Sequence, residues 1–230
     1  LKFQMEITNH PDNIHSPKEI TKLSLANQTF LMSINISANI LFIEDSSFSQ
    51  CKHLKSISVC SYNLKFASID GILFSKNFDT LLCFPPNHHF FSYTIPTTVT
   101  SIGNLCFPIN HRFSSYCIPT SVTSIGNSAF SNCSNLRSLT IPTSVTSIGN
   151  SAFYDCENLQ SITIPTSVTS IGDSAFSGCS NLQSITVEST NFHFTSIEGI
   201  LFTKDFVTII CFPSKHQFLT YNIPTSVTSI

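Results

Sequence analysis

The chain has 230 residues, a formal charge of −2 and charged side chains at only 10% of positions, against roughly 25% in ordinary soluble domains. So sparse and slightly acidic a composition offers no attraction for nucleic acid, and no basic patch with interleaved aromatics is present. No apolar run reaches the roughly 18 residues of a membrane span, so serine, threonine and asparagine must supply most of the polar surface.

Residues 1–35 show no repeat and are read as a degenerate N-terminal cap, with Ile20 to Leu25 and Thr29 to Ile34 as a hairpin. From residue 36 to residue 230 a register runs through the chain. Its strand-end position holds Ile36, Val59, Ile95, Ile118, Ile141, Ile164, Val187 and Ile223, at intervals of 23 residues except for two of 36. A fixed period of this length predicts one elongated solenoid domain, because each coil must stack on its neighbours to bury its apolar face.

The two long intervals, about 60–94 and 188–222, are read as insertions. They resemble each other at an offset of 128 residues: Ser68-Ile69-Asp70-Gly71-Ile72-Leu73-Phe74 against Ser196-Ile197-Glu198-Gly199-Ile200-Leu201-Phe202. Asp-Gly between apolar runs signals a hairpin, since a type I′ turn needs positive φ at both central residues. A second turn at Lys76 to Asp79, and at Lys204 to Phe206, makes each insertion a small meander ending at Phe84-Pro85 or Phe212-Pro213 and rejoining the coils through Tyr93 or Tyr221.

Three near-identical copies start at Ile118, Ile141 and Ile164. In the middle one, the pattern Leu136-x-x-Leu139-x-Ile141 predicts a strand with Leu139 and Ile141 inward and Ser138 and Thr140 outward. A second short strand is expected at Val145 to Ile148, then a positive-φ turn at Gly149, then a tight helical turn placing Phe153 in the core. Phe48, Phe107, Phe130, Phe153 and Phe176 form the matching aromatic series, and Asn135, Asn158 and Asn181 are expected to cap backbone groups at a turn.

The constellation Ile-Pro-x-x-Val-x-x-Ile-Gly-x-x-Ala-Phe-x-x-Cys-x-x-Leu, with its Asp-Gly-Ile-Leu-Phe insertion, resembles the BspA-like, treponemal-type class of leucine-rich repeat surface proteins over residues 36 to 230. The coil from Ile36 departs from it with Glu44 for the glycine, and the coil from Ile95 with Leu105-Cys106-Phe107-Pro108. The resemblance implies a leucine-rich repeat solenoid of right-handed coils, with a parallel β-sheet on one face, short or helical turns on the other, and two β-hairpin insertions. It also implies a location at the cell surface or outside the cell, with any anchor beyond this segment; a cytoplasmic protein remains the alternative.

Nine cysteines cannot all pair within one chain. Cys51, Cys133, Cys156 and Cys179 share one repeat position, where a rung spacing of about 4.8 Å exceeds the Cβ separation of about 3.8 Å that a disulfide prefers; they read as buried thiols. There is no Cys-x-x-Cys zinc pattern, phosphate loop, His-Glu-x-x-His or nucleophile elbow. His88 and His216 recur without a repeated carboxylate and read as exposed loop residues. No catalysis, cofactor or metal is expected.

The expected binding surface is the outward side of the strands: Arg137, Gln160 and Gln183; Ser138, Ser161 and Ser184; Thr140, Thr163 and Thr186. The insertion loops add Asp70, Phe90, Phe91 and Glu198. Extended repeat surfaces suit large partners, and the resemblance points to a protein or glycan ligand, such as extracellular matrix, bound in adhesion. A structural spacer, an intracellular protein-interaction scaffold and a flat ice-binding hydroxyl array are the alternatives.

Overall fold

Alternation builds the first face of the coil. Ser161–Ile164 runs exposed, buried, exposed, buried, so its isoleucines enter the core while Ser161 and Thr163 face out. The computed structural model describes residues 4–7, 19–21, 24–25, 28–90, 92–107, 113–218 and 220–230, and no helix occurs among them. Gln4–Ile7, Ser33–Ile36 and Ser56–Val59 form a three-stranded parallel sheet. Further along this face Ser115–Cys117 pairs with Ser138–Thr140, and Ser161–Ile164 with Ser184–Val187, again in parallel. The single unbroken sheet expected along this side is therefore divided. Between the two pairs the link is a long bond of 3.4 Å from the Gln160 N–H to the Arg137 carbonyl.

The hairpin expected from Ile20–Leu25 and Thr29–Ile34 does not form. Glu19–Ile20 pairs in parallel with Phe42–Ile43, while Ile34 sits in register between Met5 and Ile57. Ser33–Ile36 has the same inward spacing as the later strands, and burying Ile34 and Ile36 holds it in the ladder.

The second face is narrower and more continuous. Ser101–Ile102, Ser124–Ile125, Ser147–Ile148 and Ser170–Ile171 pair in parallel within a seven-stranded sheet that also takes in Thr80–Cys83, Ile72–Ser75 and Phe66–Ile69. The glycine after each isoleucine is needed for close approach rather than for positive φ. A Cβ on Gly149 would lie 2.6 Å from the Asn127 nitrogen and 2.6 Å from the Gly126 carbonyl carbon. The left-handed residue comes two positions later, at Ser128, Ser151 and Ser174, with φ of 52°, 53° and 55°.

Turns make the third face where a helical turn was expected, and they too are bonded coil to coil. Phe130 N–H donates to the Ala152 carbonyl and Phe153 N–H to Ala175, both at 2.8 Å. Inside, Phe84, Phe107, Phe130, Phe153 and Phe176 stack at centroid distances of 4.8 to 5.8 Å. Phe84 is the rung that the sequence reading assigned to the end of the meander, and Phe48 belongs to a separate N-terminal cluster.

Each insertion is the expected meander, but its middle strand crosses the interior. In Ile72–Ser75 the first three residues are buried, as a strand covered on both sides requires. Leu73 joins the N-terminal core while Ile72 and Phe74 join the central one. Ile200–Thr203 repeats the division, with Leu201 on the central side and Ile200 and Phe202 beyond. The meanders thus partition the solenoid core into three compartments.

Candidate binding surfaces

The proposed strand face is polar, in register and rigidly backed. Arg137, Gln160 and Gln183 are exposed on successive coils, as are Thr140, Thr163 and Thr186; Ser138 and Ser161 are exposed and Ser184 half-buried. Ser161 lies opposite Ser184 and Thr163 opposite Thr186. Beneath them Leu139, Ile162 and Ile185 are buried. Asn158 and Asn181 fix the neighbouring turns, their side chains donating to the Ser134 and Glu157 carbonyls at 2.7 and 2.8 Å.

At the insertion tips Asp70 and Glu198 are exposed, with φ of 52° and 54°, followed by Gly71 and Gly199 at 81° and 87°. These are the two positive-φ residues that a type I′ turn demands. Each tip closes onto the first face, for Ile57 N–H donates to the Gly71 carbonyl and Ile185 N–H to Gly199, both at 2.8 Å. Phe90 is half-buried and stacks on Tyr93 at 5.8 Å, so it is a support for the loop and not an exposed contact. Phe91 lies outside the described residues.

The recurring histidines are structural staples. His88, read from sequence as an exposed loop residue, is only 3% exposed. Its Nε2 lies 2.7 Å from the Asp70 carbonyl, and its Nδ1 accepts the Phe90 N–H at 3.2 Å. A ring nitrogen that accepts carries no proton, so Nε2 holds it and donates to Asp70. His216 makes the same pair of contacts, with the Glu198 carbonyl at 2.7 Å and the Phe218 N–H at 3.2 Å. Burial holds the His88 pKa below its ordinary value, against the opposing pull of the Asp70 carbonyl.

One surface was missed in the sequence. A groove of about 590 Å³ runs along the second face across four coils, floored by the Ser-Ile-Gly units. Along its edge Asn127, Asn150 and Asp173 donate their backbone N–H to the side-chain oxygens of Asn104, Asn127 and Asn150, at 2.7 to 2.9 Å. The Asn104 amide reaches across the first insertion to Asp45 at 2.8 Å. The repeated Ser-Ile-Gly-Asn was the available signal; the closeness of the coils, which shapes the groove, was not visible in it.

The cysteines are free thiols. Cys156 and Cys179 donate through Sγ to the Phe130 and Phe153 carbonyls at 3.1 Å. Burial pushes Cys133 and Cys179 up to about 12. Among the described residues no cluster of histidine, cysteine or carboxylate side chains could hold a metal ion, and no helix is long and apolar enough to cross a membrane.

Comparison with known proteins agrees with this architecture. A leucine rich cell surface protein of Faecalibacterium prausnitzii is 26% identical with a TM-score of 0.68, over 93% of this chain and 51% of that one. The pneumococcal vaccine antigen PcpA is 22% identical with a TM-score of 0.67, over 86% and 50%. A leucine-rich repeat protein of Eubacterium ventriosum is 21% identical with a TM-score of 0.63, over 86% and 56%. The chain thus spans about half the length of these relatives. No curated protein matches the sequence. A family model, the BspA type leucine rich repeat region in six copies, matches residues 6–81 and 100–230, and by that match the chain belongs to the BspA type leucine-rich repeat family.

Proposed function

We propose that the chain is the non-catalytic scaffold of a surface protein, and that it holds a protein or glycan partner of extracellular-matrix type through the strand face, with the tips at Asp70 and Glu198 as flanking contacts. The observation that carries this reading is the in-register row Arg137, Gln160 and Gln183, exposed on three successive coils above a buried ladder. Such rows let many individually weak polar contacts act together on a large partner without reorganisation. The surface location is supported by the cell surface protein of Faecalibacterium prausnitzii, which shares the fold at 26% identity.

The test is adhesion of the purified chain to immobilised matrix proteins and to a glycan array. Replacing Arg137, Gln160 and Gln183 together by alanine is expected to abolish capture and leave the melting temperature unchanged. Undiminished capture by this variant moves the site to the insertions or the groove. Absence of capture by the parent chain on every surface favours a spacer.

A further inference from the structure

The two insertions open with loops that are anchored identically. Asn63 and Asn191 are 0% and 1% exposed. The Asn63 amide nitrogen donates to the Ser37 and Ile40 carbonyls of the preceding coil at 2.8 and 2.9 Å, and its oxygen accepts the Lys65 and Phe66 N–H groups at 2.8 Å. Asn191 does the same with Pro165, Val168, His193 and Phe194. With the asparagine held inward, the next residue is thrown outward, and in both copies it is large and apolar: Leu64 is 75% and Phe192 84% exposed. Nothing in the fold requires an apolar side chain at either place.

Around these anchors the two copies differ in a complementary way. Tyr62 flanks Leu64 along the chain, and the Asn63 bond to Ile40 ties this loop to the segment that carries Leu41 and Phe42; all three are exposed. The corresponding positions around Phe192 are Thr190, Thr169 and Ser170. The first loop carries Lys65 and Lys76, the latter donating through Nζ to the Ser61 carbonyl at 3.2 Å. The second retains Lys204 in place of Lys76 but has His193 for Lys65, Asp205 for Asn77 and Glu188 for Cys60. One insertion thus presents a broad apolar patch with a basic rim, and the other a single protruding ring with a more acidic rim.

We propose that a second copy of this chain covers both surfaces, in an antiparallel dimer that seats Phe192 of each copy on the Tyr62-Leu64 patch of the other. Both features occupy the same phase of the coil at opposite ends of the regular stack, so a twofold axis midway between them forms both contacts at once and closes the assembly. Lys65 and Lys76 then face the exposed Asp205 of the opposing copy, with Glu188, whose carboxylate also accepts the Thr166 N–H at 2.8 Å, at the edge of the contact.

Sedimentation analysis over a concentration series tests this. The parent chain is expected to dimerise, and Phe192→Ser or Leu64→Ser to raise the dissociation constant at least tenfold while the melting temperature holds. Lys76→Glu should weaken the dimer, and Lys76→Glu combined with Asp205→Lys should restore it, because the swapped charges meet only between copies. A parent chain that stays monomeric at its solubility limit, a dimer indifferent to Phe192→Ser, a double variant no better than Lys76→Glu, or open-ended growth with concentration would each overturn the proposal.

Discussion

Gly149 and Gly178 both exclude a side chain, for different reasons, and their alanine variants should differ accordingly. At Gly149 the added Cβ meets backbone of the preceding coil at 2.6 Å, which no rotamer change relieves; the cost should be about 3 kcal/mol, the upper range for overpacking. At Gly178 the nearest obstacle is the Asp155 carboxylate, which can swing aside, leaving the penalty of a φ of 76°, about 1 to 2 kcal/mol. Denaturant titration of the two variants measures the difference, and equal midpoints would contradict it. Thiol labelling gives a second check, for Cys117 is exposed whereas Cys51, Cys83, Cys106, Cys133, Cys156 and Cys179 are buried. At pH 8 Cys117 should react at once and the buried six only on unfolding. His88 adds a pH dependence. Its folded pKa is lowered, chiefly by burial, so the unfolded chain binds the proton more readily. Its contribution is therefore complete above the ordinary histidine pKa of about 6.5 and is lost as the pH falls below it. The melting temperature of the parent chain should drop between pH 7 and pH 5 more than that of His88→Gln.

The elements draw their strength from stacking, and the aromatic column shows it most directly. Phe153 is fully buried and lies 5.4 Å from Phe130 and 5.6 Å from Phe176, almost parallel to both. Phe153→Ala should cost about 3 to 5 kcal/mol, the lost ring plus the cavity between coils. Tyr154→Ser, one residue along and exposed, should stay within about 0.5 kcal/mol; thermal melts of the pair measure the contrast. The period of 23 made the coil and its inward Leu139, Ile141 and Phe153 legible in the sequence, because each recurs in consecutive copies, while the two hairpin turns were legible from Asp70-Gly71 and its counterpart Glu198-Gly199 at an offset of 128 residues. What it left hidden are relations between coils. The direction of Ile72–Ser75 through the core depends on both its faces being covered, and the burial of His88 depends on a carbonyl 18 residues away. The candidate strand face could be read from alternation alone. The groove, and the exposure of Leu64 and Phe192, could not, since both follow from how neighbouring coils constrain the backbone.

A stack in which each coil touches only its neighbours should tolerate removal of a whole coil far better than removal of a part. Deleting residues 141–163 joins Thr140 to Ile164, the junction already present at Thr163 and Ile164. The shortened chain is expected to fold cooperatively with a denaturant slope lower by roughly a tenth, in proportion to the surface lost; circular dichroism during urea titration checks it. Loss of folding would show that the three copies are not interchangeable. The turn face also has a long-range electrical consequence. Its bonds between coils run one way: Ser128, Phe130 and Asn132 donate forward to the carbonyls of Asn150, Ala152 and Tyr154, and Ser151, Phe153 and Asp155 to those of Asp173, Ala175 and Ser177. Aligned peptide dipoles add, as they do along a helix. A chain with charged side chains at only 10% of its positions therefore carries a lengthwise polarity on this face, positive toward Ser174 and Gly178, set by backbone geometry and independent of pH.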